Sequence, residues 1–453
     1  MSADTVSESL SPPFGSRPRK QLLLLGSMLR WWAAFALVGS LLVGGTADAQ
    51  TAPADASAGL LKAANATLAA TRSQLRLLSD ASSCVEARYV AFRNSRAEPG
   101  SSEVDAWYTA SQTWADAALL AATKADDAET RCEIAKSVIF LDRLWDDELG
   151  VNPTASPTAS KVSRDVRYAD DNALLGLTYL AAAEVSDPAM AAEYRHSAVR
   201  VAEFLLHSGV WDDTFGGGFW WSTRRGDTPE GKPAQTNAIS ALFFARLYRD
   251  IGDPQYRDWA LRTQTWLDAT LYDPASHLYR WSIAYADPVR KRGQVLSTRL
   301  FSYDQGNAIQ AELAVQTLDN DAARLERAHA AGDALQATFA RGDRGYLLEA
   351  GIDQVYAGYA AWTSFGHLAL YDADQNPHWL DLARQNLDAI GRSMGRPDGG
   401  VAWQTYRCAG RLLAFCPAGE TGWVTDGTPD TAAGAWVQHL QVALARRLAP
   451  TSQ

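Results

Sequence analysis

The stretch Tyr168-Ala169-Asp170-Asp171-Asn172-Ala173-Leu174-Leu175-Gly176-Leu177-Thr178-Tyr179-Leu180 decides how this chain is read. Its apolar residues Leu174, Leu177 and Tyr179-Leu180 recur at helical spacing and its polar residues gather at the front, so an apolar helix opens on a pair of carboxylates. The same kind of opening returns at Thr236-Asn237-Ala238 and Gly306-Asn307-Ala308, 65 and then 70 residues further on. Between them lie turns of one form: Ser186-Asp187-Pro188, Gly252-Asp253-Pro254, Asn320-Asp321 and Asn376-Pro377. From Asp187 to Asp253 to Asn320 to Asn376 the intervals are 66, 67 and 56 residues. Each turn ends one helix and starts another, which implies one helical hairpin per period. Long alternating runs of the kind strands need are hard to find, so the chain reads as all-α. Residues 105–449 leave room for six hairpins, and a closed (α/α)6 toroid is predicted there. An open solenoid shares the periodicity but usually repeats every 33 to 47 residues or so.

Outward from this region, the N-terminus reads as an export signal over residues 1–49. Arg17, Arg19 and Lys20 precede an apolar tract from Gln21 to Gly45, and Ala47-Asp48-Ala49 forms a small-residue cleavage site before Gln50. The uninterrupted part, Trp31 to Gly45, is 15 residues, short of the roughly 20 that span a bilayer. The expectation is a secreted, periplasmic or envelope protein with no stable membrane insertion after cleavage. Residues 50–104 begin rich in Ala, Thr and Ser and read as a tether followed by accessory helices. Asn152 to Ser160, with Pro153 and Pro157, reads as a polar loop.

The net charge of -10 becomes -11 once 1–49, with four basic and three acidic residues, is removed, which excludes nucleic acid and other polyanions as natural partners. Four cysteines in an exported chain suggest disulfides, and their clustering favours Cys84 with Cys132 and Cys408 with Cys416 among three connectivities. Buried free thiols are the alternative. No C-x-x-C or H-E-x-x-H spacing is present, and the seven histidines are scattered, so neither metal nor cofactor is expected. A monomer is expected.

In a toroid the starts of the inner helices share one mouth, where unpaired N–H groups and positive dipole ends are presented. The starts read Arg167-Tyr168-Ala169-Asp170-Asp171, Gln235-Thr236-Asn237, Ser302-Tyr303-Asp304-Gln305 and Trp362-Thr363-Ser364. Carboxylates, amides, hydroxyls and rings are the inventory for a neutral sugar. Trp211, Trp220 and Trp221 lie with Gly216-Gly217-Gly218 in the long segment Val210 to Pro233, and segments of that length are commonly functional.

Glycosidic bond cleavage needs two carboxyl groups. Four adjacent Asp pairs occur, at 126–127, 146–147, 170–171 and 212–213, and an Asp before a helix is commonly only a cap. Position selects Asp170-Asp171, because Asp126-Asp127 opens what reads as a solvated outer helix. Neighbours at a helix start can hold their carboxyls about 5 to 6 Å apart, near the spacing for retention of configuration. Repulsion at that distance should raise one pKa and keep that group protonated as the acid.

The ordered set Tyr168-Ala169-Asp170-Asp171-Asn172-Ala173, Trp211-Asp212-Asp213 with Gly216-Gly217-Gly218-Phe219-Trp220-Trp221, Thr236-Asn237-Ala238-Ile239-Ser240, and Tyr303-Asp304-Gln305-Gly306 resembles glycoside hydrolase family 76. The resemblance covers roughly residues 130–445. It implies an (α/α)6 barrel and a retaining endo-α-1,6-mannanase, with Asp170 as nucleophile and Asp171 as general acid/base. It also implies a sugar cleft lined by Tyr168, Asn172, Trp220, Trp221, Asn237, Tyr303, Asp304 and Gln305, and a polysaccharide or oligosaccharide substrate. Two departures stand out: Leu174 and Leu175 occupy places usually held by Trp, and Asp304 replaces an Asn.

Three other readings use the same residues. A catalytically silent glycan-binding protein would fit the lost rings but not the retained carboxylate pair. A wall-remodelling transglycosylase shares the covalent intermediate. A toroidal sugar epimerase would need cleft histidines, and none falls in these segments.

Overall fold

The computed structural model describes residues 53–94, 104, 106–124, 127–145, 166–227 and 230–449. The expected signal segment 1–49, the Asp146-Asp147 pair and the Asn152 to Ser160 loop lie outside the described residues. Twelve α-helices carry the fold among the described residues: α1 Pro53–Leu75, α2 Ala106–Thr123, α3 Ala128–Arg143, α4 Ala169–Glu184, α5 Pro188–His207, α6 Ala234–Ile251, α7 Pro254–Thr270, α8 Ser302–Asp319, α9 Ala322–Phe339, α10 Ala357–Asp374, α11 Pro377–Met394 and α12 Thr431–Leu448. The even-numbered helices pack side by side in order, and α12 returns to α2, which closes the inner ring. Helices α3, α5, α7, α9 and α11 each lie outside the inner helix that precedes them. Among the described residues no helix is long and apolar enough to cross a membrane.

The sixth outer helix is α1, which packs along α12. The barrel therefore starts at Pro53: of the span 50–104, read as a tether followed by accessory helices, residues 53–75 form a barrel helix. Ala64 and Leu68 are buried against Leu119 and Val442, and Ser57 Oγ donates to the Ala445 carbonyl at 2.8 Å. The composition misled because the hydroxyls of Thr67 and Thr71 bond the carbonyls of Ala63 and Thr67 in their own helix, a local pairing that lets small polar residues sit inside a packed helix. Ring closure between the two ends of the chain is a tertiary event with no local sequence signal.

Turn chemistry explains the hairpins. Asp187, Asp253, Asp321 and Asn376 accept backbone N–H groups at the starts of α5, α7, α9 and α11, and Pro occupies the first turn of three of these helices, where its missing donor costs nothing. Asp127 caps α3 in the same way, as expected for that doublet. These inner-to-outer turns are short. The outer-to-inner connections 208–233, 271–301, 340–356 and 395–430 are long, so all of them gather at the N-terminal mouth of the inner ring.

Packing inside the ring is tight where bulk is absent. A Cβ on Gly306 would lie 2.6 Å from the Thr363 carbonyl oxygen, and one on Gly366 would lie 3.0 Å from the Gly306 Cα, so paired glycines let α8 and α10 approach closely. Leu174 and Leu175 are fully buried in the main core. Arg324 and Arg327 tie α9 to Asp268 on α7 and Glu312 on α8. Disulfides Cys84–Cys132 and Cys408–Cys416 are formed, the pairing favoured by clustering.

Candidate active site

Asp170 and Asp171 occupy the first turn of α4, where the helix dipole favours negative charge. Asp170 is 7% exposed and Asp171 is partly exposed. The Asp170 carboxylate accepts from the Trp221 indole Nε1 at 3.1 Å and from the Asp171 backbone N–H at 3.1 Å. Burial pushes its pKa up to about 6, against the two hydrogen bonds, which favour the ionised form. The upward shift expected for the acid of the pair falls instead on Asp170, the residue read as the nucleophile, and its cause is loss of water rather than repulsion.

Trp221 is held for this purpose. Its backbone N–H donates to the Gly231 carbonyl, its carbonyl accepts from Ala169 N–H at 2.8 Å, and its ring lies 4.7 Å from that of Tyr168. The segment that carries it is built around Lys232, whose Nζ is fully buried and donates to Asp212 Oδ1, to the Asp212 carbonyl, and to the carbonyls of Thr214 and Gly217. Burial lowers the Lys232 pKa to about 8. Gly218, at φ 89°, leaves room for the Trp266 ring, which would lie 2.5 Å from a Cβ there.

Several residues expected to line the cleft are structural instead. Asn237 accepts from Phe219 N–H and donates to the carbonyls of Phe219 and Pro233. Gln305 treats Tyr279 and Phe301 in the same way. Both side chains are fully buried; each clamps a mouth segment to the start of its own helix and keeps no group for a sugar. Asn172 is also fully buried and donates to the Tyr168 carbonyl. Trp220 is 1% exposed, its indole spent on Asp212 and its face under Lys232. Periodicity located these positions correctly, but amide and indole groups serve backbone clamping as readily as sugar binding, and only burial separates the two.

Asp304 is fully buried, and burial raises its pKa well above the usual carboxylate range. Burial disfavours the ionised form at this place, and the neutral carboxyl is nearly isosteric with Asn. The other departure, Leu174 and Leu175, lies in the core and lines no subsite.

The groups left at the mouth are Asp171, Tyr168 and Trp221, with Tyr303 of α8 and Tyr359 of α10 opposite. Burial holds the hydroxyls of Tyr303 and Tyr359 neutral, and the charge of Asp170 adds to the effect on both. A chain of rings continues from them: Tyr303 to Tyr359 at 4.8 Å, Tyr359 to Tyr356 at 6.1 Å and Tyr356 to Trp403 at 5.2 Å. On the other flank Trp281 packs on Phe301 at 5.7 Å under Arg299, which is paired with Glu349. The sequence reading missed Tyr356, Tyr359, Trp403 and Trp281. It placed the α10 opening at Trp362, which is 3% exposed; the helix starts at Ala357, and Tyr356-Ala357-Gly358-Tyr359 was the available signal. Among the described residues no group of three or more His, Cys, Asp or Glu is placed to hold a metal ion.

The sequence profile described as Glycosyl hydrolase family 76 matches residues 80–360. The chain belongs to that family. Among solved structures, a family 76 glycoside hydrolase from a bovine Bacteroides thetaiotaomicron strain is similar at TM-score 0.66 and 18% identity, over 85% of this chain and 77% of the other. The GH76A α-1,6-mannanase of Salegentibacter sp. HEL1_6 is similar at TM-score 0.61 and 18% identity, over 85% and 99%. Cellobiose 2-epimerase from Bacillus thermoamylovorans B4167 shares the fold at TM-score 0.58 and 12% identity, over 75% and 87%. No curated protein sequence matches. Family membership makes the chain a glycoside hydrolase with an (α/α) toroid fold.

Within this family 76 chain, replacing Trp221 by Phe tests the link to Asp170. Losing one hydrogen bond to a buried carboxylate is expected to raise the Asp170 pKa by about one unit. The acid limb of kcat/KM against pH should move up by that amount, while the alkaline limb stays in place. An unmoved acid limb would show that Trp221 does not act through Asp170.

Proposed function

We propose that the chain is an exported, retaining endo-mannanase that cleaves α-1,6-linked mannan or a closely related α-mannoside polymer by double displacement. The observation that carries this reading is the Asp170-Asp171 pair: one carboxylate buried and fixed by Trp221, its neighbour open to water, both facing tyrosines across the mouth. The nucleophile must attack in ionised form, and Asp170 is mostly ionised above pH about 6. The acid/base must exchange a proton with water in each turnover, which suits the more exposed Asp171. An inactive variant of the Salegentibacter enzyme, with two consecutive aspartates changed to asparagine, was solved with α-1,6-mannotriose, which supports both the pair and the substrate.

The rings at the mouth supply apolar faces for successive pyranoses, and a cleft open at the rim suits attack within a chain. Export is supported by the N-terminal apolar tract and by the two disulfides.

The test is incubation of the purified protein with linear α-1,6-mannan, with products resolved by chromatography and their first-formed anomer read by NMR. A ladder of α-anomeric oligosaccharides is expected. Mannose alone would replace endo by exo action, a β-anomer would refute double displacement, and no product would shift the substrate to another α-linked glycan.

A further inference from the structure

Exposed apolar side chains gather on one flank of the mouth. Among the described residues eight large ones stand open to solvent, and five of them, Val289, Val295, Leu296, Leu413 and Phe415, fall in two of the long connections that reach the mouth. Val289 is 89% exposed, Phe415 65% and Leu413 58%. Single exposed apolar residues are ordinary, whereas a group of them on one side marks an interaction surface.

The two connections are tied to each other. One carries a hairpin that runs out through Ser282–Ala284 and back through Val295–Leu296. Two backbone hydrogen bonds between Asp287 and Arg292 close its tip, and residues 288–296 are all exposed. Just past the return strand, Arg299 donates to both oxygens of Glu349 at 3.0 Å, and Arg411 reaches the same carboxylate at 2.6 Å. Arg411 belongs to the short 3-10 helix Gly410–Phe415, which the Cys408–Cys416 disulfide closes. Leu412 points inward against Tyr406, Cys408 and Val424, and this anchor leaves its neighbours Leu413 and Phe415 facing out.

Cations interleave with these apolar groups. Arg290, Lys291 and Arg292 directly follow Val289, and Arg407 and Arg411 stand beside Leu413; all five are exposed. Among the described residues the carboxylates paired with them are Asp287, Glu349 and Asp353, which leaves the flank positive in a chain of net charge -10. Protection of a sheet edge accounts for cations beside the return strand. It does not account for an apolar tip at Val289, nor for Leu413 and Phe415 in a second segment. An acidic polysaccharide would engage the cations and leave the apolar tips in water. Apolar tips set among cations match the boundary of an anionic bilayer, where the charges meet headgroups and the apolar side chains enter beneath them.

We propose that this flank docks on an anionic lipid surface, with Val289, Leu413 and Phe415 entering the acyl boundary and the arginines and lysine around them on the headgroups. The attachment is peripheral, and it opens the glycan cleft beside the bilayer. It does not depend on which glycan is cleaved.

A fluorescent reporter at the tip tests it. Val289→Cys in the full chain is labelled with a nitrobenzoxadiazole dye, all four natural cysteines being paired. With vesicles of mixed phosphatidylglycerol and phosphatidylcholine the label should brighten and shift to the blue, and with phosphatidylcholine alone it should stay as in buffer. The same label at Asp381→Cys, an exposed position of α11 at the opposite end of the barrel, should respond to neither. Because the signal is read at the tip, attachment through the apolar tract Gln21 to Gly45 does not mimic it. Arg292→Gln should weaken the partition of the tip by about fivefold, the worth of one cation at an anionic surface. Leu413→Ser with Phe415→Ser should weaken it by about tenfold or more. Both variants should melt like wild type, since these side chains are exposed.

A tip label that ignores anionic vesicles, or that responds equally to phosphatidylcholine alone, would overturn the proposal, as would partition that survives both sets of changes. A response to polygalacturonate that matches the response to lipid would give the flank to an acidic polymer. A dimer seen by light scattering and lost in the Leu413 and Phe415 variant would give it to a second copy of the chain. Either result refutes the assignment.

Discussion

Asp170→Asn is expected to lower kcat on α-mannan by about four orders of magnitude or more, and Asp171→Asn by about two to four. The difference reflects their roles: without the nucleophile no glycosyl-enzyme forms, whereas without the acid/base it can still form, slowly, by departure of a leaving group that is not protonated by the enzyme. Azide separates the two. With an activated α-mannoside, Asp171→Ala plus azide should give the α-mannosyl azide, because azide intercepts the covalent intermediate from the face water normally uses. Asp170→Ala plus azide should give the β-azide, by direct displacement. Exchanged outcomes would reverse the roles, and activity that survives both Asn variants would sink the assignment of the pair.

The same substitution has a stability signature. The folded pKa of Asp170, about 6, lies above the unfolded value of roughly 3.9, so the unfolded chain gives up this proton first as pH rises. Its burial therefore costs stability progressively from pH about 4 to 6, on the order of 2 to 3 kcal/mol in full. Asp170→Asn removes that cost, less what it loses by offering an NH₂ group to Trp221 or to the Asp171 N–H. Thermal melts should show the variant gaining on wild type at pH 7.5 and not at pH 4. A gap between them that does not change with pH would refute the burial argument.

The second large effect is expected at Lys232. Lys232→Met keeps most of the side-chain volume but strands the carbonyls of Asp212, Thr214 and Gly217 and one oxygen of Asp212. Breaking a buried ion pair by removing one partner costs about 3 to 5 kcal/mol, so the melting temperature should fall by several degrees. The damage should also reach catalysis, because Lys232 organises the segment that delivers Trp221 to Asp170. A loss of about a hundredfold in kcat is expected, together with a raised acid limb like that of Trp221→Phe. A variant that melts and turns over like wild type would show that the segment is held by other contacts.

What the sequence by itself determined follows from local physics. Helical spacing, Asp and Asn caps, Pro in first turns and the period of about 66 residues are properties of short windows, so hairpins, toroid and the place of Asp170-Asp171 were legible. Disulfide pairing followed from spacing within two clusters. Tertiary structure alone decided three matters. It brought α1 to α12 across nearly the whole chain, because ring closure is made by contacts between its two ends. It turned Asn237, Gln305, Asn172 and Trp220 inward, because packing sets their burial and because the mouth segments that Asn237 and Gln305 clamp lie 18 and 26 residues away in the chain. It set Asp170 near pH 6 and raised Asp304 above the ordinary carboxylate value, since a pKa depends on the water that packing removes, and that is a property of the assembled barrel.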